Sequence, residues 1–342
     1  METAPRLTRF SHGAGCACKL GPRDLTRVLD LLGPDVKPQD VLVSEETGDD
    51  AAVYRLSDGG GLVLTLDFFT PLVDDAADWG RIAAANALSD VYAMGGTPRL
   101  ALNIAGWPVD ELPLDLLADV LGGARQTAAS ADVAVVGGHT ITTEKEPIFG
   151  MVAIGFVDPG SIVRNSTARP GMELFLSKPI GTGLITTAIK RDATDDEHAR
   201  IAVSTMTSLN ADASAAMVRD GAGSATDVTG FGLLGHLRRM LEASGCSAVV
   251  RANDVPLLPD VLSLARRDVV AGGTKRNHSW LQEVVDWGEL TTPEQIVLAD
   301  AQTSGGLLVA STGPMDPGLF TSIGEVTAGA PGSITVTGRV GE

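Results

Sequence analysis

Cysteine is scarce here: Cys16, Cys18 and Cys246 are the only three in 342 residues. Three cysteines make no disulfide framework, so a reducing compartment, the cytoplasm, is expected. Positive charge is also in deficit. Lys and Arg number 26 against 43 Asp and Glu, a formal net charge of -17. Such a surface repels nucleic acid and anionic lipid, and neither is expected as a partner. No apolar run approaches the ~18 residues that suggest a membrane span. The opening METAPRLTRF lacks the apolar stretch of a signal peptide. No Gly-Lys dipeptide occurs, which excludes the P-loop form G-x-x-x-x-G-K-[ST].

What is there fits an enzyme of two ordinary domains. Hydrophobic residues make up 44% of the chain and charged ones 20%, with 40 Gly. That balance suits a mixed α/β, or α+β, chain with many tight turns. Residues 1–20 carry no clear period and read as a mobile arm. A short helix is expected over Asp24–Leu32, and strands over Ala51–Leu56 and Leu62–Asp67. A helix over Asp78–Met94, capped by Asp78, puts Asn86 and Asp90 on one face. Strands follow at Leu100–Ala105, Ala134–Gly137 and Ile148–Val157, with a helix at Leu114–Ala129. The turn-rich stretch Asp158–Gly171 suggests the boundary between domains at 21–160 and 161–342. Beyond it, a strand is expected over Glu173–Ser177 and helices over Gly183–Lys190, His198–Arg219 and Phe231–Ser244.

Four acids stand in unusual company. Asp50 follows Glu46-Thr47-Gly48-Asp49, Asp67 ends an apolar run, Asp90 lies in Asn86-Ala87-Leu88-Ser89-Asp90, and Asp227 opens Asp227-Val228-Thr229-Gly230-Phe231-Gly232. Each could cap a helix or turn. Four together suggest a carboxylate cluster, and converging carboxylates repel unless a cation sits between them. All-oxygen ligation favours Mg²⁺, which commonly bridges to substrate phosphates. Gly137-Gly138-His139-Thr140 is either an ordinary turn or a backbone cradle for phosphate. Lys178 and the Gly-rich turn Gly272–Asn277 are cations suited to an anionic substrate or to plain solvent exposure.

In Ser11-His12-Gly13-Ala14-Gly15-Cys16-Ala17-Cys18-Lys19, the ammonium of Lys19 favours the Cys16 thiolate, the nucleophilic form. Other readings stay open: idle thiols in a loose arm, zinc ligands with His12, or a strained C-x-C disulfide. Cys246 reads as a core residue.

Taken in order, SHGAGCACK, DDAAV (Asp49–Val53), Asp67-Phe68-Phe69, Gly137–Thr140, EPIFG (Glu146–Gly150), Asn165-Ser166-Thr167, TDVTGFGLLGHL (Thr226–Leu237), GGTKRN and QTSGGLL (Gln302–Leu308) resemble the selenophosphate synthetase family. DDAAV and TDVTGFG are similar to a wider ATP-binding superfamily that includes aminoimidazole ribonucleotide synthetase and thiamine-phosphate kinase. The resemblance implies a two-domain, aminoimidazole ribonucleotide synthetase-like fold. Its N-terminal half would form a β-barrel across a homodimer, and its C-terminal half would be α+β. It implies a reaction of ATP, selenide and water that gives selenophosphate, AMP and phosphate. By matching motifs it implies Cys16 and Lys19 as catalytic residues, and Asp50, Asp67, Asp90 and Asp227 as metal ligands. The nucleotide would meet Lys19, Thr47, Gly48, Asp49, Asp67, Asp90, Gly138, His139 and Thr140. Mg²⁺ is the implied cofactor, with a monovalent cation as a further candidate. The sequence departs from the family at two places: Gly48 stands where some relatives carry Arg, and Ala17 where Gly is common. The competing functions are a superfamily kinase acting on a nitrogen or carboxyl substrate and a non-catalytic ATP-binding paralogue.

Overall fold

The computed structural model describes residues 5–11, 13, 15, 27–28, 31, 36–44 and 48–341. Cys16, Cys18, Lys19, His12 and Thr47 lie outside the described residues, as does most of the helix expected over Asp24–Leu32.

The first half builds a six-stranded sheet from β1 (Val41–Val43), β2 (Ala52–Arg55), β3 (Gly61–Phe69), β4 (Thr97–Trp107), β5 (Ala134–Thr142) and β6 (Ile148–Val157). Their order is β1-β2-β3-β6-β4-β5. Neighbours run antiparallel except the parallel pair β4/β5. Two helices, α1 (Ala76–Ala93) and α2 (Leu114–Ser130), pack beside it. The period of two in β3 is plain: Gly61, Val63, Asp67 and Phe69 are buried, while Leu64, Leu66 and Phe68 are exposed. The face of the sheet turned away from the core therefore leaves Tyr54, Leu64, Leu66, Phe68, Val136, Ile141 and Phe156 uncovered. Among the described residues this sheet is open and closes no barrel within the protomer.

The second half builds a seven-stranded sheet. Its strands are β7 (Glu173–Leu176), β8 (Ser224–Asp227), β9 (Ser247–Arg251), β10 (Val285–Asp286), β11 (Leu307–Ser311), β12 (Thr321–Thr327) and β13 (Ile334–Thr337). The order is β10-β13-β9-β12-β7-β11-β8. The helices are α3 (Thr182–Lys190), α4 (Asp196–Thr207), α5 (Ala211–Arg219), α6 (Gly232–Ser244), α7 (Val261–Arg266), α8 (Gly272–Leu281) and α9 (Thr292–Leu298). The fold is thus mixed α+β with two sheets.

Helix α1 is buried along nearly its whole length because it lies between the first sheet and the second half. A helix covered on all sides has no polar stripe. Its N-cap is Asp75, whose side chain accepts from Asp78 N at 2.7 Å, so the helix begins two residues before the expected start. The helix expected over His198–Arg219 is two helices. Thr207 bonds back to the Val203 carbonyl, Ser208 is extended, and its carbonyl is taken by Lys178 Nζ at 2.6 Å. The expected turn at Gly272–Asn277 is the start of α8. There Thr274 Oγ1 donates to Asp300 at 2.8 Å and Asn277 Nδ2 to the Gly230 carbonyl at 2.9 Å. Those tertiary bonds outweigh the poor helix propensity of the two Gly.

The first residues are anchored to both halves. Leu7 and Thr8 are fully buried in a short 3-10 turn, Leu7–Phe10. Arg6 Nε pairs with Asp74 at 2.7 Å, Arg6 Nη1 with Asp192 at 2.6 Å, and Thr8 N donates to Asp74 at 2.9 Å. Lys190 Nζ holds the carbonyls of Ser11 and Gly13. Hence the segment read as a loose arm has a packed root.

Candidate functional site

The alternation of β3 sends Thr65 and Asp67 toward α1, and the four-residue spacing on α1 presents Asn86 and Asp90 to them. Asn86 Nδ2 donates to Asp67 Oδ2 at 2.6 Å, and Thr65 Oγ1 bonds Asp90 Oδ2. The same Asn86 accepts from Ser304 N at 2.8 Å, joining the acids to the QTSGGLL turn. Asn210 Nδ2 makes a parallel join, to Ser89 Oγ and the Gly305 carbonyl, both at 2.8 Å.

Asp50 enters from the turn before β2. Its Oδ1 accepts from Thr226 Oγ1 at 2.7 Å, and its Oδ2 is buried with no hydrogen-bond partner among the described residues. Asp227 ends β8 next to it. Burial first, then the Asp227 charge, pushes the Asp50 carboxyl well above the usual carboxylate range. Lys178, also buried, donates to the carbonyls of Ser208 at 2.6 Å and Ser304 at 3.1 Å. Burial lowers its ammonium to about 7 while Asp227 pulls it up. Lys178, by sequence suited to an anionic substrate or to plain solvent exposure, is turned inward, onto backbone carbonyls.

Gly48 and Asp49 are tied to the segment between the sheets. Asn165 Nδ2 donates to the Gly48 carbonyl and Asn165 N to Asp49 Oδ1, both at 2.7 Å. The loop after Asp227 is fixed too, with Thr229 N donating to His236 Nε2 at 3.1 Å.

Gly138, His139 and Thr140 do not form a turn. They continue β5 as an exposed strand beside β4. Gly138 is required by close approach, since a Cβ there would stand 2.3 Å from the Asn103 carbonyl oxygen. The register between β4 and β5 shifts between Ala101 and Asn103, which lets the strand run on past the two Gly.

The four acids are therefore linked through Thr65, Asn86 and Thr226 rather than packed on one point. Among the described residues no three His, Cys, Asp or Glu side chains form a metal-ligating group. The Asp50–Asp227 pair still fits a hard divalent cation: it offers a buried, unpaired carboxylate oxygen beside a second acid.

The sequence reading missed Asp300. It is fully buried, accepts from Thr274 Oγ1, Leu184 N and Gln302 Nε2, and has its carboxyl pushed up to about 7 by burial. It orders the turn that carries Gln302 to Gly306. Its only signal in the sequence is an acid between two Ala at the end of a helix.

Comparison with known proteins bears on this geometry. Residues 48–157 match the family described as AIR synthase related protein, N-terminal domain, and residues 169–314 match its C-terminal domain. A selenide, water dikinase of Yersinia pseudotuberculosis serotype I (strain IP32953) is 44% identical over 307 residues, covering 90% of this chain and 87% of that protein. One from Photorhabdus laumondii subsp. laumondii is 44% identical over 310 residues, covering 91% and 88%. In three dimensions the chain is similar to thiamine monophosphate kinase from Aquifex aeolicus, with a TM-score of 0.68, 18% identity, and 94% and 98% of the two chains covered. A ThiL structure complexed with AMPPCP and TMP gives a TM-score of 0.71 at 20% identity, covering 94% and 95%. At those identities the structures show a shared fold alone.

Proposed function

Because the chain belongs to the selenide, water dikinase family, we propose that it makes selenophosphate from selenide, ATP and water and releases AMP and phosphate. The observation that carries the nucleotide half is the Asp50–Asp227 pair, whose buried Asp50 Oδ2 has no hydrogen-bond partner among the described residues. Asp50, Asp227, Asp67 and Asp90 would hold Mg²⁺, which supplies neutralisation of the triphosphate charge when bound. A monovalent cation is a further proposed cofactor. Asn86 and Thr65 orient Asp67 and Asp90, and Thr226 orients Asp50. Thr47, Gly48, Asp49 and the exposed strand Gly138-His139-Thr140 would meet the nucleotide.

The selenide half rests on the segment Cys16–Lys19. The thiolate of Cys16 would hold the selenide, and the ammonium of Lys19 would shield the approach of two anions. The γ-phosphoryl passes from ATP to selenium, ADP is the leaving group, and water then cleaves ADP to AMP and phosphate. Residues 1–20 form the catalytic arm in this reading, 21–160 the nucleotide and dimer domain, and 161–342 the second domain. Among the described residues no helix is long and apolar enough to cross a membrane. A reducing cytoplasm suits both the selenide and the thiols.

The uncovered sheet face supports a homodimer in which two such faces meet and complete a barrel. Contiguous apolar surface of this kind marks an interaction site. Phe68→Asp should convert a dimer to a monomer in light scattering, because it places a charge at the centre of that face. A mass unchanged from wild type would remove this face from the interface.

The deciding assay measures nucleotide products with and without selenide. Selenide-dependent AMP is expected. ADP accumulating as the end product, with or without selenide, would sink the assignment in favour of an ordinary superfamily kinase.

A further inference from the structure

Arg239 is a cation that the reading above leaves unused. It sits on α6, and helical side chains lean toward the N-terminus of their helix. Its guanidinium lies over the ring of Phe231, 4.5 Å from the centroid, at the start of the helix. On its other side is Gly48: a Cβ there would stand 3.5 Å from Arg239 Nη1. Gly48 has φ of 66°, a left-handed turn that disfavours a side chain at this position.

Among the described residues nothing neutralises the charge of Arg239 by a direct pairing. Its Nε is buried without a hydrogen-bond partner, and no described carboxylate forms an ion pair with it. Glu242, which shares its field, is held by Arg238 Nε at 2.7 Å. Burial draws the guanidinium below its ordinary value, as expected of a cation that lacks a partner. In a chain of net charge -17, a half-buried Arg with no ion pair among the described residues is unusual. Its position is specific as well. It bridges the turn that leads into Asp50 and the loop that follows Asp227.

We propose that Arg239 is a binding residue for the polyphosphate of the nucleotide, delivered from α6 across the Gly48 turn. Stacking on Phe231 fixes the plane of the fork and leaves its edge for two phosphate oxygens. The inference rests on the reading that the Asp50–Asp227 pair is the Mg²⁺–nucleotide site.

The test compares Mg²⁺-ATP and adenosine binding by calorimetry in wild type, Arg239→Gln and Arg239→Lys. Arg239→Gln keeps much of the stacking surface and loses the charge. It should weaken ATP about tenfold or more and leave adenosine within about twofold. Arg239→Lys should fall between, because it keeps the charge and loses the fork. The salt dependence of ATP affinity should flatten in Arg239→Gln. Wild-type ATP affinity in Arg239→Gln, or an equal loss of ATP and adenosine, overturns the proposal and leaves the nucleotide site standing. Failure of wild type itself to bind ATP overturns the nucleotide reading and this proposal with it.

Discussion

Replacing Asp50 by Asn should cut selenide-dependent AMP formation by about a hundredfold or more and at the same time raise the melting temperature at neutral pH. The activity loss follows from removing a carboxyl oxygen that no donor among the described residues uses. Even outer partners of metal ligands cost about 10–100-fold when lost, and a direct ligand should cost at least that. The gain in stability follows from the sign of the carboxyl shift. Asp50 has its pKa raised by burial and by Asp227. A group raised in the folded state contributes stability at acid pH, and that contribution is lost as pH rises through its folded value. At neutral pH, therefore, the burial and the Asp227 charge that raise the Asp50 carboxyl work against the fold. Asn removes the repulsion, and the gap in melting temperature between variant and wild type should widen from acid to neutral pH. Mg²⁺ should raise the wild-type midpoint and raise the variant's less. A variant that melts lower than wild type at every pH would mean that Asp50 is a structural acid and not a cation ligand.

Cys16→Ser should abolish selenide-dependent AMP formation while ATP binding persists. A thiol near an ammonium is substantially ionised at neutral pH, and a serine hydroxyl is not. The expected loss is on the order of a thousandfold, since the group proposed to hold the reacting selenide is removed and not merely misplaced. Lys19→Ala should lose less, on the order of a hundredfold, as expected of an electrostatic partner. Rapid-quench measurement of AMP with saturating ATP, alongside direct ATP titration, separates the two halves of the reaction. Wild-type turnover in both variants would return Cys16 and Lys19 to bystanders.

The sequence disclosed elements where local signals and tertiary demand agree. Strand β3 was legible as an apolar run ending in Asp67, but not which face is buried, since the exposed Leu64, Leu66 and Phe68 are as apolar as the buried Val63 and Phe69. Sequence signals failed where distant partners decide. Gly272 and Gly273 read as a turn, yet Thr274 and Asn277 bond to Asp300 and Gly230 and hold a helix there. Gly137 and Gly138 read as a turn or a phosphate cradle, yet they continue β5 beside β4, with Gly138 pressed against Asn103. In the site, the four acids stood out by their apolar and Gly-rich surroundings. What could not be read was how they are joined, since Thr65, Asn86, Thr226 and Ser304 come from separate stretches of chain. Arg239 was invisible for the same reason: an Arg in a polar stretch of helix looks solvated until the fold lays it on Phe231.

The anchoring of Arg6 to Asp74 and Asp192 works as a tether of fixed length. Gly15 packs against Thr303, and a Cβ there would stand 2.5 Å from its hydroxyl. Thr303 precedes Ser304, the residue that donates to Asn86. Covalent geometry then leashes Cys16 within ~3.8 Å of Gly15, measured between α-carbons. In the proposed reaction, a selenide held on so short a leash would meet a bound phosphate at an effective concentration far above any that free selenide reaches in solution. In the proposed reaction the two ion pairs at Arg6, remote from any chemistry, would thereby bear on turnover through the placement of Gly15.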